Sequence, residues 1–145
     1  MSLNETLSTI TVRPFEPADE AAVIALWHAC NLVVLWNDPA RDIACKMQVN
    51  PELFLVAVEG GRVVGTVMVG YDGHRGWINY LGVLPQLRRR GVGRLLMREA
   101  EARLRERGCP KINLQVRTSN TEVIEFYKRI GFKEDAVVSF GKRLS

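Results

Sequence analysis

The chain has 145 residues, 47% of them hydrophobic, and carries 20 basic against 16 acidic side chains for a net charge of +4. Such a chain suits one globular domain that buries roughly 68% of its unfolded surface, and no apolar run reaches the ~20 residues of a membrane span. Met1-Ser2-Leu3-Asn4-Glu5 lacks the basic-then-apolar order of a secretory leader, so a cytoplasmic protein with no membrane partner is expected.

Alternation from Thr9 to Phe15 predicts a strand, followed by a helix capped near Asp19 whose apolar face is Val23, Leu26, Trp27 and Cys30. Asp38 at a cap and Pro39 at the first helical position announce a second short helix, with Ile43 and Met47 one turn apart; Pro51 ends that region. Leu53 to Val58 and Val63 to Tyr71 are apolar, β-branched runs joined by Glu59-Gly60-Gly61-Arg62, which reads as a hairpin, and Trp77 to Val83 is the next strand. Val92, Leu96, Ala100 and Leu104 recur at four-residue spacing in a helix closed by Gly108, long enough for a crossover to a parallel strand at Lys111 to Val116. Ser119-x-x-Glu122 reads as a capping box for a helix from Thr121 to Ile130 that ends at Gly131, and Phe132 to Phe140 is the last strand. Cys30, Cys45 and Cys109 are odd in number and far apart, so all three are expected to be small packing residues, with neither a disulfide nor a metal site. The order implies an α/β (α+β) domain: a mixed, mostly antiparallel sheet of about six to seven strands flanked by about four helices, with an ordered core over 9–143.

The chemically explicit stretch is Val83-Leu84-Pro85-Gln86-Leu87-Arg88-Arg89-Arg90-Gly91-Val92-Gly93, a strand passing through a basic glycine turn into a helix. A helix start leaves its first amides unpaired and carries about +0.5 of an elementary charge, so this turn suits a pyrophosphate. Gly91 and Gly93 let the backbone approach closely. A triphosphatase loop needs Gly-Lys-Ser/Thr, which is absent here, and the dinucleotide fingerprint needs a third glycine where Leu96 stands. Residues 88 to 107 hold eight arginines and three glutamates, a surplus larger than that of the whole chain. The excess sits on one turn and one helix without an aromatic-rich basic stripe, so a small polyanion, not nucleic acid, is the expected partner.

From Arg88 to Gly93 the residues follow Arg/Gln-x-x-Gly-x-Gly/Ala, and Asn120, Phe126, Tyr127, Gly131 and Phe132 follow Asn-x-x-x-x-x-Phe-Tyr-x-x-x-Gly-Phe. Both are signatures of the GNAT superfamily of N-acetyltransferases, which the chain resembles over residues 9 to 143. Leu35-Trp36-Asn37-Asp38-Pro39 and Tyr71-Asp72-Gly73-His74-Arg75-Gly76 resemble the bacterial YpeA group within it. The resemblance implies acetyl-CoA as co-substrate, no metal, a small-molecule or peptide amine as acceptor, and a monomer or homodimer. It implies that amides of Arg88, Arg89, Arg90, Gly91, Val92 and Gly93 hold the pyrophosphate. It further implies that backbone groups of Leu81 and Val83 hold the pantetheine arm, in an opening between the strand ending at Val83 and the strand starting near Lys111.

Tyr127 occupies the family position of the acid that protonates the leaving thiolate, and Asn120 either contacts the cofactor or caps its helix. Many members carry a glutamate on the strand that here reads Trp77-Ile78-Asn79-Tyr80, where no acid stands; Asp72, His74 or a water relay is left as the base. Trp36, with Asn37 or Asp38, would line the acceptor site, although Asp38 also suits a cap and Trp36 a core position. A protein that binds acetyl-CoA as a sensor without transferring the acetyl group is the alternative reading.

Overall fold

The structure is a computed structural model that describes residues 9–145. It forms two compact units, one running up to Leu114 and one from Gln115 to Ser145.

The larger unit is built on a five-stranded sheet. Its strands are β1 (Ile10–Pro14), β2 (Phe54–Glu59), β3 (Arg62–Tyr71), β4 (Gly76–Val83) and β5 (Ile112–Leu114), neighbouring one another in that order. The first three pairs are antiparallel, while β4 and β5 are parallel. A parallel pair needs a crossover, which is supplied by α3 (Val92–Glu106). Helices α1 (Glu20–Ala29) and α2 (Pro39–Lys46) lie between β1 and β2 in sequence.

Thr66 and Gly65 face opposite sides of the sheet. On one side the Thr66 hydroxyl meets Trp27 of α1; on the other, a Cβ at Gly65 would stand 3.0–3.1 Å from Leu96 and Val92 of α3. The core on the α1 side holds Leu26, Trp27 and Phe54, with Phe15 stacked on Phe54 at 4.6 Å and Trp27 at 6.1 Å. Each such aromatic pair adds about 0.5–1.5 kcal/mol beyond the area it buries. Lys46 is buried and donates from Nζ to the Val69 carbonyl at 2.5 Å, fastening α2 to β3.

The predicted front of the chain is observed with boundaries moved by a residue or two. Asp38 caps α2 by accepting the Arg41 amide at 3.2 Å. Asp19 stands at the N-cap of α1 but makes no side-chain capping bond; its carboxylate takes Nη1 and Nη2 of Arg13 at 2.7 and 3.0 Å and the Glu16 amide at 2.9 Å. The guanidinium fork competes for the oxygens a helix start would use. Cys45 is exposed, so it is not the packing residue expected, whereas Cys30 and Cys109 are half-buried and all three thiols are free.

The smaller unit contains α4 (Thr121–Arg129). Asn120, not Ser119, stands at its N-cap, with no side-chain capping bond. The expected last strand at Phe132 to Phe140 is not formed, so the sheet has five strands where six to seven were expected. A strand exists only with a hydrogen-bonded partner. Residues 115–145 contain no other strand to supply one, and Val137, Val138 and Phe140 are 78%, 77% and 93% exposed.

Candidate active site

The turn at Arg88–Gly93 is shaped by two left-handed residues, Arg89 at φ 70° and Gly91 at φ 84°. Gly91 is the N-cap of α3, and a Cβ there would meet nothing within 4 Å. Its carbonyl accepts the Leu95 amide and begins the helix. The amides of Gly91, Val92 and Gly93 have no acceptor among the described residues. Three adjacent unpaired N–H groups at the positive end of a fifteen-residue helix are suited to an anion. The Arg88 amide, expected in the same set, is instead given to the Pro85 carbonyl at 3.3 Å.

The arginine side chains divide. Arg90 pairs with Glu59 at 2.9 Å. The Arg88 guanidinium lies beside Cys30, whose thiol burial pushes up while Arg88 opposes the shift. Arg89 and Arg94 are exposed and add positive charge around the turn. The residues present therefore fit a pyrophosphate held mainly by backbone.

Strand β4 leads into that turn and carries an irregularity. Met68 faces Asn79 and Thr66 faces Gly82, so Tyr80 and Leu81 together oppose Val67. Tyr80 adopts φ 52°, a conformation an L-residue takes only under constraint. The constraint is visible: its ring stacks on Trp27 at 3.9 Å, and its carbonyl accepts the Thr66 hydroxyl at 2.8 Å. Thr66 in turn accepts the buried Trp27 indole N–H at 3.0 Å. Leu81 thus sits in a bulge, and the Val83 carbonyl accepts the Cys30 thiol at 3.2 Å.

Parallel pairing between β4 and β5 stops at Ile78 and Leu114, yet β4 runs on to Val83. On the side away from β3, Asn79–Val83 have no paired strand among the described residues. An extended amide chain can add to such an edge.

The remaining expected residues divide as follows. Asp72 is exposed and accepts the amides of Arg75 and His74 at 2.7 and 2.8 Å and the Trp77 indole at 3.3 Å. Those bonds, the Arg75 amide first, hold its carboxyl below the usual range, so it is a loop organiser and a poor base. His74 is exposed, with Nδ1 3.5 Å from Arg75 Nη1. Trp36 is 60% exposed, which removes the core reading, and Asn37 donates to the Tyr80 hydroxyl at 3.4 Å. In the smaller unit, Asn120 is exposed, while Tyr127 is buried against Phe126 and Phe132 in edge-to-face contacts at 5.2 and 5.4 Å. Burial raises its phenol well above the ordinary value.

Sequence reasoning missed Asp42, whose Oδ2 accepts the Tyr80 hydroxyl at 2.5 Å. It also missed the Trp27–Thr66–Tyr80 chain. Nothing in the periodicity singles these out, because each depends on a tertiary partner 14 to 39 residues away.

The chain matches the family described as Acetyltransferase (GNAT) over residues 16–132. It is 48% identical over 134 residues to an acetyltransferase of Sodalis glossinidius (strain morsitans), covering 92% of this chain and 94% of that one. Among solved structures it is similar to Ard1 from Thermoplasma volcanium, at 30% identity and a TM-score of 0.76, covering 88% of this chain and 85% of that one. AAC(6')-Iy in complex with the bisubstrate analogue CoA-S-monomethyl-acetylneamine shares the fold at 19% identity and a TM-score of 0.77, covering 94% and 99%. An anion seat at the start of α3, an unpaired edge on β4 and these likenesses converge: the chain belongs to the GNAT family of acetyltransferases.

Proposed function

We propose that the protein transfers the acetyl group of acetyl-CoA directly to a primary amine, with both substrates bound at once. The observation that carries this reading is the run of unpaired amides at Gly91, Val92 and Gly93 at the start of α3. Acetyl-CoA is the acetyl donor of the family and supplies an activated thioester. The likeness to AAC(6')-Iy, solved with an analogue that joins CoA to an acetylated amine, supports a common seat for donor and acceptor.

In this reading the Gly91–Gly93 amides, with those of Arg89 and Arg90, hold the pyrophosphate, and exposed arginines of the turn add long-range attraction. Backbone groups of Leu81 and Val83 align the pantetheine arm and polarise the acetyl carbonyl, where each fixed donor contributes about 3–4 kcal/mol to catalysis. Tyr127 gives its proton to the departing thiolate. Burial keeps the phenol protonated, so the proton is present throughout the working pH range. Asn120, free of any capping bond, is assigned to the cofactor. With Asp72 committed to its loop, the amine loses its proton to water or to His74, which favours acceptors that are partly neutral near pH 7.5, such as α-amines of ordinary pKa about 7.7–8.0. The family match runs over residues 16–132, through the larger unit and into the smaller, which supports a single acetyltransferase domain. The Leu35–Pro39 and Tyr71–Gly76 phrases favour the YpeA group within the family.

Calorimetric titration with acetyl-CoA and with 3′-dephospho-acetyl-CoA, followed by amine-dependent release of CoA thiol, tests the proposal. Micromolar binding together with amine-dependent release supports it. Binding with no release by any primary amine favours a sensor, and no binding by folded protein overturns both.

A further inference from the structure

Tyr80 belongs to β4 yet has the backbone of a turn. Among the described residues, Asn31, Asn50, Tyr80 and Arg89 are the non-glycines with positive φ, and only Tyr80 lies in a strand. A strand alternates its side chains from face to face, so Gly76, Tyr80 and Gly82 would share one face if β4 were regular. They do not. A Cβ at Gly76 would stand 2.7 Å from Leu104 of α3, whereas a Cβ at Gly82 would stand 3.0 and 3.2 Å from Leu32 and Leu26, and the Tyr80 ring stacks on Trp27 of α1. The bulge therefore turns the rest of β4 over, and Leu81 and Val83, on either side of Gly82, are turned with it.

The ring of Tyr80 is held by Trp27 and its carbonyl by Thr66, but its hydroxyl has partners of its own. It donates to Asp42 Oδ2 at 2.5 Å and accepts Asn37 Nδ2 at 3.4 Å, so both of its hydrogen-bonding roles are filled. Asp42 is on α2, and α2 is itself fastened to the sheet by Lys46, whose Nζ donates to the Val69 carbonyl of β3. The far end of the side chain is thus tied to a helix anchored on the neighbouring strand, while Thr66 ties down the backbone end. A residue gripped at both ends has little freedom to relax from φ 52° to ordinary strand geometry. The support reaches, from α2, the stretch of β4 to which the acetyl carbonyl is assigned.

We propose that Tyr80 is a positioning residue for acetyl transfer: clamped at its hydroxyl by Asp42 and Asn37, it holds the bulge that places the backbone of Leu81 and Val83, so that α2 contributes to the rate through Tyr80. The proposal rests on the transferase reading above and names the side chains that set the backbone used there.

The test measures kcat, KM and acetyl-CoA affinity, with a primary amine that the wild type acetylates, at a temperature where circular dichroism shows every variant folded. Tyr80→Phe keeps the stack on Trp27 and loses the clamp, and Asp42→Ala removes the clamp from the other side. Each should lower kcat about tenfold through misplacement of the reacting groups. Acetyl-CoA affinity should stay within threefold, since Thr66 still holds the carbonyl of residue 80. The double variant should be no slower than either single one, because both break the same bond. Asp42→Asn, which still offers the phenol an oxygen, should recover most of the rate lost in Asp42→Ala. A purely structural role would lower the melting temperature and leave kcat of the folded protein unchanged. Wild-type kcat in folded Tyr80→Phe overturns the inference, as do additive losses in the double variant or an Asp42→Asn as slow as Asp42→Ala, and in each case the transferase reading stands. If wild-type protein that binds acetyl-CoA acetylates no amine, the transferase reading fails and takes this inference with it.

Discussion

The hydroxyl of Thr66 donates to the carbonyl of Tyr80 at 2.8 Å while accepting the indole N–H of Trp27 at 3.0 Å. One side chain thus joins α1, β3 and β4 at the point where β4 departs from regular pairing. Both bonds are sheltered from water, Trp27 and Thr66 being fully buried. The bulge that aims Leu81 is therefore a built feature with its own support.

Thr66→Val keeps the shape and removes both bonds, leaving a buried indole N–H unpaired. An orphaned donor of this kind costs about 1–3 kcal/mol, so urea unfolding should report a loss of that size. Acetyl-CoA binding should weaken as well, because Tyr80 is no longer held at its left-handed φ. A variant as stable as the wild type would show that the network carries no net energy.

Gly91→Ala and Gly60→Ala form a matched pair. Both glycines have positive φ, 84° and 57°, and open space where the methyl would stand. Each substitution should cost about 1–2 kcal/mol through left-handed strain, read as a lower melting temperature. Only Gly91→Ala should raise the acetyl-CoA Kd by tenfold or more, since only its methyl enters the proposed pyrophosphate seat. Equal effects on binding would place the pyrophosphate elsewhere.

The hairpin and the glycine turn that opens α3 were legible because their signals are local: Gly60-Gly61 between apolar runs, and Arg88–Gly93 ahead of a four-residue apolar repeat. The last strand misled, because Phe132–Phe140 has the composition of a strand and no partner within residues 115–145. Tyr80 could not have been read at all. A tyrosine at φ 52° is dictated by Trp27 and Thr66, far away in sequence, and not by its own preference. Asp42 was hidden likewise: on a helix with Lys46 four residues on, it looks like half of an ordinary surface pair until the lysine is seen reaching Val69.

Tyr127→Phe should lower kcat by about 10²-fold, with acetyl-CoA affinity within threefold of wild type. The phenol of Tyr127 is raised by burial, so no loss of rate from its ionisation should appear up to pH 10. Its effect on stability has the same sign. The neutral form is favoured in the fold, so this contribution is complete below the unfolded value of about 10 and is lost as pH rises beyond it. Alkaline unfolding of wild type and Tyr127→Phe should therefore diverge only above about pH 10.

Asp19 gives the opposite dependence. The Arg13 fork, followed by the Glu16 amide, holds its carboxyl below the ordinary value. That stability is present above the unfolded value of about 3.9 and disappears as pH falls through the lower folded value. Asp19→Asn should cost about 1.5–3 kcal/mol at pH 7, and the gap from wild type should close below pH 4, as followed by acid titration of thermal unfolding.

Asn79–Val83, the part of β4 that outruns β5, also has a meaning for the protein without its substrate. A strand edge with unsatisfied N–H and C=O groups pairs with whatever extended chain arrives, including another copy of the same molecule. A pantetheine arm filling that edge, as proposed above, would double as a detachable protective strand. Acetyl-CoA in the buffer should therefore keep the protein from clumping during purification and storage at concentrations where the bare chain slowly precipitates.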